Sequence, residues 1–217
     1  MDTPTPVVTV RGQAELRCPP DVATVWLTVH SQAKAADQVR RELAGASQQV
    51  QDVLAELSAA VESSATTGIH VSPVFAGHGR PTVTGYQGSI SSTVVISDLE
   101  ALGTVLPALL AVPHAELGGP SWSLRHDNPV HAQARRAAIE DGRRRAEDYA
   151  SAFGASVTGL LEVSDLQDRG GFPGAMRAMS FGLAGQGAEP AFEVVPQEQS
   201  STGQVTLRFT ISTPELS

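Results

Sequence analysis

The chain is short of several things that chemistry commonly needs. Among 217 residues there is one cysteine, Cys18. An internal disulfide is therefore ruled out, and so is a zinc site built on cysteine thiolates. Cys18 stands before Pro19-Pro20, where it reads as a stray thiol in a turn, with a redox-active or intermolecular cysteine as the alternative. Lysine is equally scarce. Lys34 is the only one and Ala35 follows it, so there is no phosphate-cradling Gly-Lys-Ser/Thr loop, and a Schiff-base enzyme would depend on a residue at an exposed helix start. Aromatic residues are 5% of the chain and charged residues 18%. The longest largely apolar stretch, Ala101 to Pro113, is interrupted by Pro107 and falls well short of the roughly 20 residues of a membrane helix. Met1-Asp2-Thr3-Pro4-Thr5-Pro6 has neither the positive charge nor the apolar run of a secretion signal, so a cytoplasmic place without membrane insertion is expected.

What is present describes a folded chain. With 41% hydrophobic residues it has the material for a core. Fifteen basic against 23 acidic residues leave a formal charge of −8 at pH 7, which excludes nucleic acid as the main partner, since phosphate binding needs a basic surface.

Local periodicity then sets out the elements. Val8, Val10, Gly12, Ala14 and Leu16 alternate with polar residues, as do Ala23, Val25, Leu27 and Val29 after the Cys18-Pro19-Pro20-Asp21 break. An antiparallel hairpin is the simplest reading of the pair. Ala36, Val39, Leu43, Ala46, Val50, Val53 and Leu57 recur at alternating spacings of three and four. They define a helix over about 33–60, laid on a sheet or, alternatively, forming a coiled-coil seam. Extended chain is expected from Ile69 and again over Tyr86 to Ile96, where Ser89, Ser91 and Ser92 line a polar sheet face. Ser97 and Glu100 have the spacing of a capping box before a second helix that Pro113 stops. A short strand at Trp122 and Leu124 precedes a third helix, started by Asn128-Pro129 and ended by Gly154. Its expected apolar side is Val130, Ala134, Ala137, Ala138, Tyr149 and Phe153. Strands over Val157–Val163 and Val205–Ile211 follow. Between them an irregular, glycine-rich segment at about 167–203 reads as a flexible loop or a binding lid. The sum is a single α+β domain over 1–217, a mostly antiparallel sheet with three main helices on one face.

A search for chemistry finds little. The histidines are His30, His70, His78, His114, His126 and His131. Only His126 and His131 are close in sequence. Five apart and split by a helix start, they lack the spacing of a helical metal pair, and His78 sits between glycines as a solvated side chain. His126-Asp127 is read as polar capping, with an acid–base site of a hydrolase as the weaker alternative. No nucleophile elbow and no dinucleotide-binding glycine motif occurs. Arg135-Arg136 and Arg143-Arg144-Arg145 are balanced by Glu140, Asp141 and Glu147 at helical spacing, so a salt-bridged face is expected, not an RNA site. No catalytic, cofactor-binding or metal residue is assigned, and no cofactor is expected.

Three stretches together carry a family resemblance. The opening Val8-Thr9-Val10-Arg11-Gly12-Gln13-Ala14-Glu15 with Pro20-Asp21-Val22-Ala23, the strand entry Gly85-Tyr86-Gln87-Gly88-Ser89, and the helix from Ala134-Arg135-Arg136-Ala137-Ala138 through Arg145-Ala146-Glu147-Asp148-Tyr149-Ala150 to Phe153-Gly154 are similar to those of the SIMPL-domain family. That group includes periplasmic immunogenic proteins and bacterial oxidative-stress-defence proteins. The chain departs from the pattern in lacking an evident export signal, and in reading Ser201-Thr202-Gly203-Gln204 where members tend to have Pro-Gly-Glu. The resemblance implies a SIMPL-like α+β fold and no agreed catalytic residues. Some members look like ring or channel-like homo-oligomers, others are linked to stress defence or to kinase-signalling adaptors. The expectation is a non-enzymatic, self-associating assembly or binding protein, a homo-oligomer with a protein partner in prospect and a link to stress defence. The alternative is a small-molecule or peptide-binding protein that uses the 167–203 segment as a lid.

Overall fold

The computed structural model describes residues 5–76, 81–165 and 194–215. Ten elements follow in order: β1 (Val7–Cys18), β2 (Val22–Ala33), α1 (Ala36–Glu56), β3 (Val61–Ala76), β4 (Thr82–Ile96), α2 (Leu102–Leu110), β5 (Ala115–Ser123), α3 (Pro129–Ala152), β6 (Val157–Ser164) and β7 (Gln199–Ile211). The fold is α+β, as its periodicities predict. The strands form two antiparallel sheets, ordered β1-β7-β6 and β3-β4-β2-β5, and the chain divides into two compact units around them.

This arrangement corrects the hairpin expected at the start. β1 pairs with β7 along its whole length, from Val7 opposite Thr210 to Cys18 opposite Gln199. β2 is an inner strand of the other sheet, with β4 on one edge and β5 on the other, so no edge is left for β1. The physical reason lies in Pro19-Pro20. Two prolines hold the connector extended and cannot supply the donors of a tight return turn.

In the unit of β1, β6, β7 and α3, one helix lies across one sheet. Asn128 caps α3, its Oδ1 accepting from the Val130 N–H at 2.8 Å, and Pro129 takes the first helical position. Gly154, at φ +66°, follows the helix end. The buried face is Val130, Ala134, Ala138, Gly142, Ala146 and Ala150, a row at intervals of four. Tyr149 and Phe153, expected on that face, are instead more than half exposed. Backbone proximity explains the difference. A β-carbon added at Gly12 of β1 would strike the Ala138 carbonyl oxygen, and one at Gly203 of β7 would strike that of Ala134. A helix seated this close accepts only small residues beneath it, and the aromatics stand outside. Val10, Val205, Leu207 and Phe209 complete this core.

The other unit is a four-stranded sheet carrying α1 and α2. Val39, Leu43, Val50 and Leu54 of α1 and Leu102, Val105, Leu106 and Leu109 of α2 bury against Val25, Leu27, Val29, Ile90, Val94 and Ile96. α1 is thus a sheet-covering helix. The capping box expected at Ser97–Glu100 does not form. Asp98 Oδ1 accepts from the Glu100 and Ala101 N–H groups at 3.1 and 3.3 Å, while the Ser97 hydroxyl donates to the Ala60 carbonyl at 3.4 Å. β3 begins at Val61 and β5 at Ala115, both earlier than expected, because Glu62 to Gly68 and Ala115 to Gly118 lack clear apolar alternation. Between β6 and β7, the segment read as a loop or lid lies outside the described residues over 167–193.

Candidate functional site

The α1/α2 unit holds an open depression of about 680 Å³, lined by His30, Ser31, Gln32, Glu42, His70, Gln87, Gly88, Ser89 and His114. Strand register assembles most of it. β4 lies between β2 and β3, and Ser89 is opposite His30 on one side and His70 on the other. Directly opposed residues share a sheet face, so the two imidazoles flank one serine in a single cross-strand row. The next row on that face is Gln32, Gln87 and Ser72, so polar side chains continue it. Two residues the other way, Thr28 Oγ1 and Ser91 Oγ are 3.1 Å apart, so Ser89 and Ser91 share the expected polar face, whereas Ser92, opposite the buried Leu27, lies on the other.

His30 is held from two directions. Its backbone N–H donates to the His114 carbonyl at 3.1 Å, and its Nε2 stands 3.3 Å from Glu116 Oε2 of β5. His114 adopts φ +60°, a left-handed conformation uncommon outside glycine, in the turn that leads into β5. Glu42, on α1, accepts from the Ser31 hydroxyl at 2.6 Å and from the Gln38 amide at 2.9 Å. These two donors, Ser31 foremost, hold its carboxyl below the ordinary carboxylate range against an opposing desolvation, with smaller contributions from His114 and Arg41. Hydrogen bonding to the charged form is the dominant cause.

The residues singled out in sequence fall elsewhere. His126 and Asp127 lie exposed in the turn before α3, and the cap there is Asn128. His131 divides its ring between Ser201 Oγ, 2.8 Å from Nδ1, and the Arg125 carbonyl, 3.0 Å from Nε2. The carbonyl can only accept, so Nε2 donates to it, and the buried Ser201 hydroxyl is the partner of Nδ1. This ties the start of α3 to β7. Cys18 is a half-buried free thiol at the end of β1, and Lys34 follows β2. His78 is outside the described residues. On α3 the expected salt-bridged face forms: Glu140 and Glu147 pair with Arg143, and Asp141 pairs with Arg144 and Arg145. The row of His30, Ser89 and His70 had no sequence signal beyond three polar positions in separate alternating strands. Their meeting depends on register, which no local spacing encodes.

Among the described residues no group of three or more His, Cys, Asp and Glu side chains converges to hold a metal ion. No described helix is long and apolar enough to cross a membrane.

Fold and site together define a two-unit antiparallel α+β protein with a polar, histidine-bearing depression on one unit. The family model described as "SIMPL: Protein of unknown function (DUF541)" matches residues 8–209, and the chain belongs to this SIMPL family. Two curated relatives, from Brucella melitensis biotype 1 and Brucella abortus strain S19, are each named "26 kDa periplasmic immunogenic protein". Each is 28% identical over 167 residues, covering 73% of this chain and 66% of the relative. The match thus spans slightly less than two thirds of those relatives' length. A solved structure, a hydantoinase/carbamoylase family amidase from Burkholderia ambifaria, shares 13% identity over 55% of this chain and 34% of its own at a TM-score of 0.33.

Proposed function

We propose that this SIMPL protein is a non-enzymatic assembly protein that works by associating with copies of itself. The observation that carries the reading is the outer edge of β6. This strand is at the margin of the β1-β7-β6 sheet, and among the described residues nothing pairs its far side. Leu160, Leu161 and Val163 on it are each more than half exposed. Natural edges are protected by lysine, proline or inward charge, and Val157–Ser164 has neither lysine nor proline and a single charge, Glu162. A second copy supplies the strand and apolar surface that such an edge accepts, and antiparallel pairing lets two identical edges satisfy each other.

The compartment proposed is the periplasm, since both curated relatives carry that word in their names and family resemblance extends to exported proteins. This replaces the cytoplasmic expectation as the preferred reading. A link to stress defence is the physiological part of the proposal and rests on family resemblance.

Light scattering coupled to size exclusion, over a broad concentration range, tests the association. The expected mass is a multiple of 22.6 kDa. Leu160→Lys with Val163→Lys is expected to return the monomer with its circular dichroism unchanged. A wild-type mass of one chain at every concentration overturns the proposal.

A further inference from the structure

The two edges of the β1-β7-β6 sheet are not alike. One step before the β1–β7 register begins, the Ile211 N–H donates to the Pro6 carbonyl at 3.0 Å, and the register then runs unbroken. Backbone groups alternate in an antiparallel pair. Even-numbered residues of β1 therefore turn theirs toward β7, and Val7, Thr9, Arg11, Gln13, Glu15 and Arg17 turn theirs outward. Midway along, the outward N–H of Gln13 is already taken, for Asp141 Oδ2 of α3 accepts from it at 3.1 Å. We propose that Asp141 closes the β1 edge, so that a second copy of the chain pairs with this sheet only through β6. The inference rests on the association proposed above and names the residue that restricts it.

The close seating of α3 puts the carboxylate there. Gly142 packs on Gly12, and its neighbour Asp141 is carried down beside Gln13. The Asp141 side chain is only 14% exposed, and it is held further by Arg144, 2.8 Å from Oδ1, and Arg145, 3.0 Å from Oδ2. An arriving strand would set a carbonyl oxygen about 2.9–3.0 Å from the same N–H. Asp141 Oδ2 stands in that place, so the strand must first displace a carboxylate and its two guanidinium partners. With Gln13 occupied, the outward groups fall into Val7–Arg11 and Glu15–Arg17, pieces too short to hold an added strand. The exposed side chains of Arg11, Glu15 and Arg17 guard those pieces, whereas Glu162 is the single charge on β6.

Light scattering of variants of the full chain tests it. In the Leu160→Lys/Val163→Lys chain, expected to be monomeric, adding Asp141→Ala should restore association through β1, with the mass rising toward twice the monomer's as concentration increases. In the otherwise wild-type chain the same substitution frees a second edge on one sheet. Pairing of β1 with β6 does not close on itself, so the mass should climb beyond the wild-type value. Asp141→Asn keeps an acceptor oxygen for Gln13 and should leave the mass unchanged. Amide exchange should show the Gln13 N–H protected in the wild type and in Asp141→Asn, and unprotected in Asp141→Ala. Asp141→Ser carries the same test should the alanine variant lose its circular dichroism. Loss of Gln13 protection with no gain in mass in either background overturns the proposal. So does an equal gain in Asp141→Asn, which would trace the association to lost charge. A wild-type chain that is monomeric and gains mass on Asp141→Ala overturns the β6 association and supports the closed β1 edge.

Discussion

Replacing Gly12 by alanine adds one methyl group, and the structure places that methyl in the backbone of α3. Its β-carbon would fall on the Ala138 carbonyl oxygen and lie 2.7 Å from the Gly142 nitrogen and 2.9 Å from the Gly142 Cα. Ordinary carbon contacts are about 3.5–4.0 Å, so the helix must withdraw by about 1 Å. Backbone cannot rotate aside as a side chain can, so the cost belongs near the top of the roughly 1–3 kcal/mol found for overpacking. Alanine returns about 0.5–1 kcal/mol through lower chain entropy in the unfolded state. The net expectation is a loss of about 2 kcal/mol, or about 4–8 °C in Tm for a chain of this size. Gly45→Ala is the matched control. Gly45 is exposed within α1 with nothing within 4 Å of an added β-carbon, so the same chemical change should stabilise by about 0.5–1 kcal/mol. Both tryptophans, Trp26 and Trp122, lie in the other unit, so fluorescence is the wrong probe for this effect. Urea unfolding followed by circular dichroism and by amide exchange in α3 reads it directly. A Gly12→Ala cost below about 0.5 kcal/mol, or one equal in sign to Gly45→Ala, would refute the close seating of α3 on β1. Gly203→Ala should cost a similar amount, and the pair less than the sum, because one withdrawal of the helix relieves both.

Two further outcomes follow from α3. Asn128→Ala removes the acceptor of the Val130 N–H and should lower stability by about 1 kcal/mol, whereas Asn128→Asp should restore most of it, both measured by urea denaturation. Asp141 accepts from the Gln13 backbone N–H at 3.1 Å and pairs with Arg144 and Arg145, and the Gln13 bond foremost depresses its pKa below the ordinary 3.8. A depressed carboxyl stabilises the fold above the unfolded value and loses that contribution as pH falls through the folded one. The wild-type advantage over Asp141→Asn, read as a difference in urea midpoint, should therefore be complete at neutral pH and vanish on acidification below 3.8. An advantage independent of pH would remove Asp141 from this role.

Much of this protein was decided by local sequence. Alternation placed β1, β2 and β7, and a run rich in β-branched residues placed β4. The three–four spacing from Val39 to Leu57 placed α1, and Asn128-Pro129 placed the start of α3 down to the capping oxygen. Such features involve neighbours within one or two turns of chain, so composition and spacing suffice to specify them. The family pattern was legible for a related reason, since its marks are glycines and small residues at positions that tolerate nothing larger. Only the tertiary structure decided the rest. Which strand β1 joins depended on β2 already having partners on both edges. Which side of α3 is buried depended on Gly12 and Gly203 letting the helix descend until Tyr149 and Phe153 had no room beneath it. The meeting of His30 and His70 across Ser89 depended on two registers at once, and a slip of one residue in either strand would send an imidazole to the opposite face. Register is the joint result of burial over whole strands, and that is a quantity no short stretch of sequence contains.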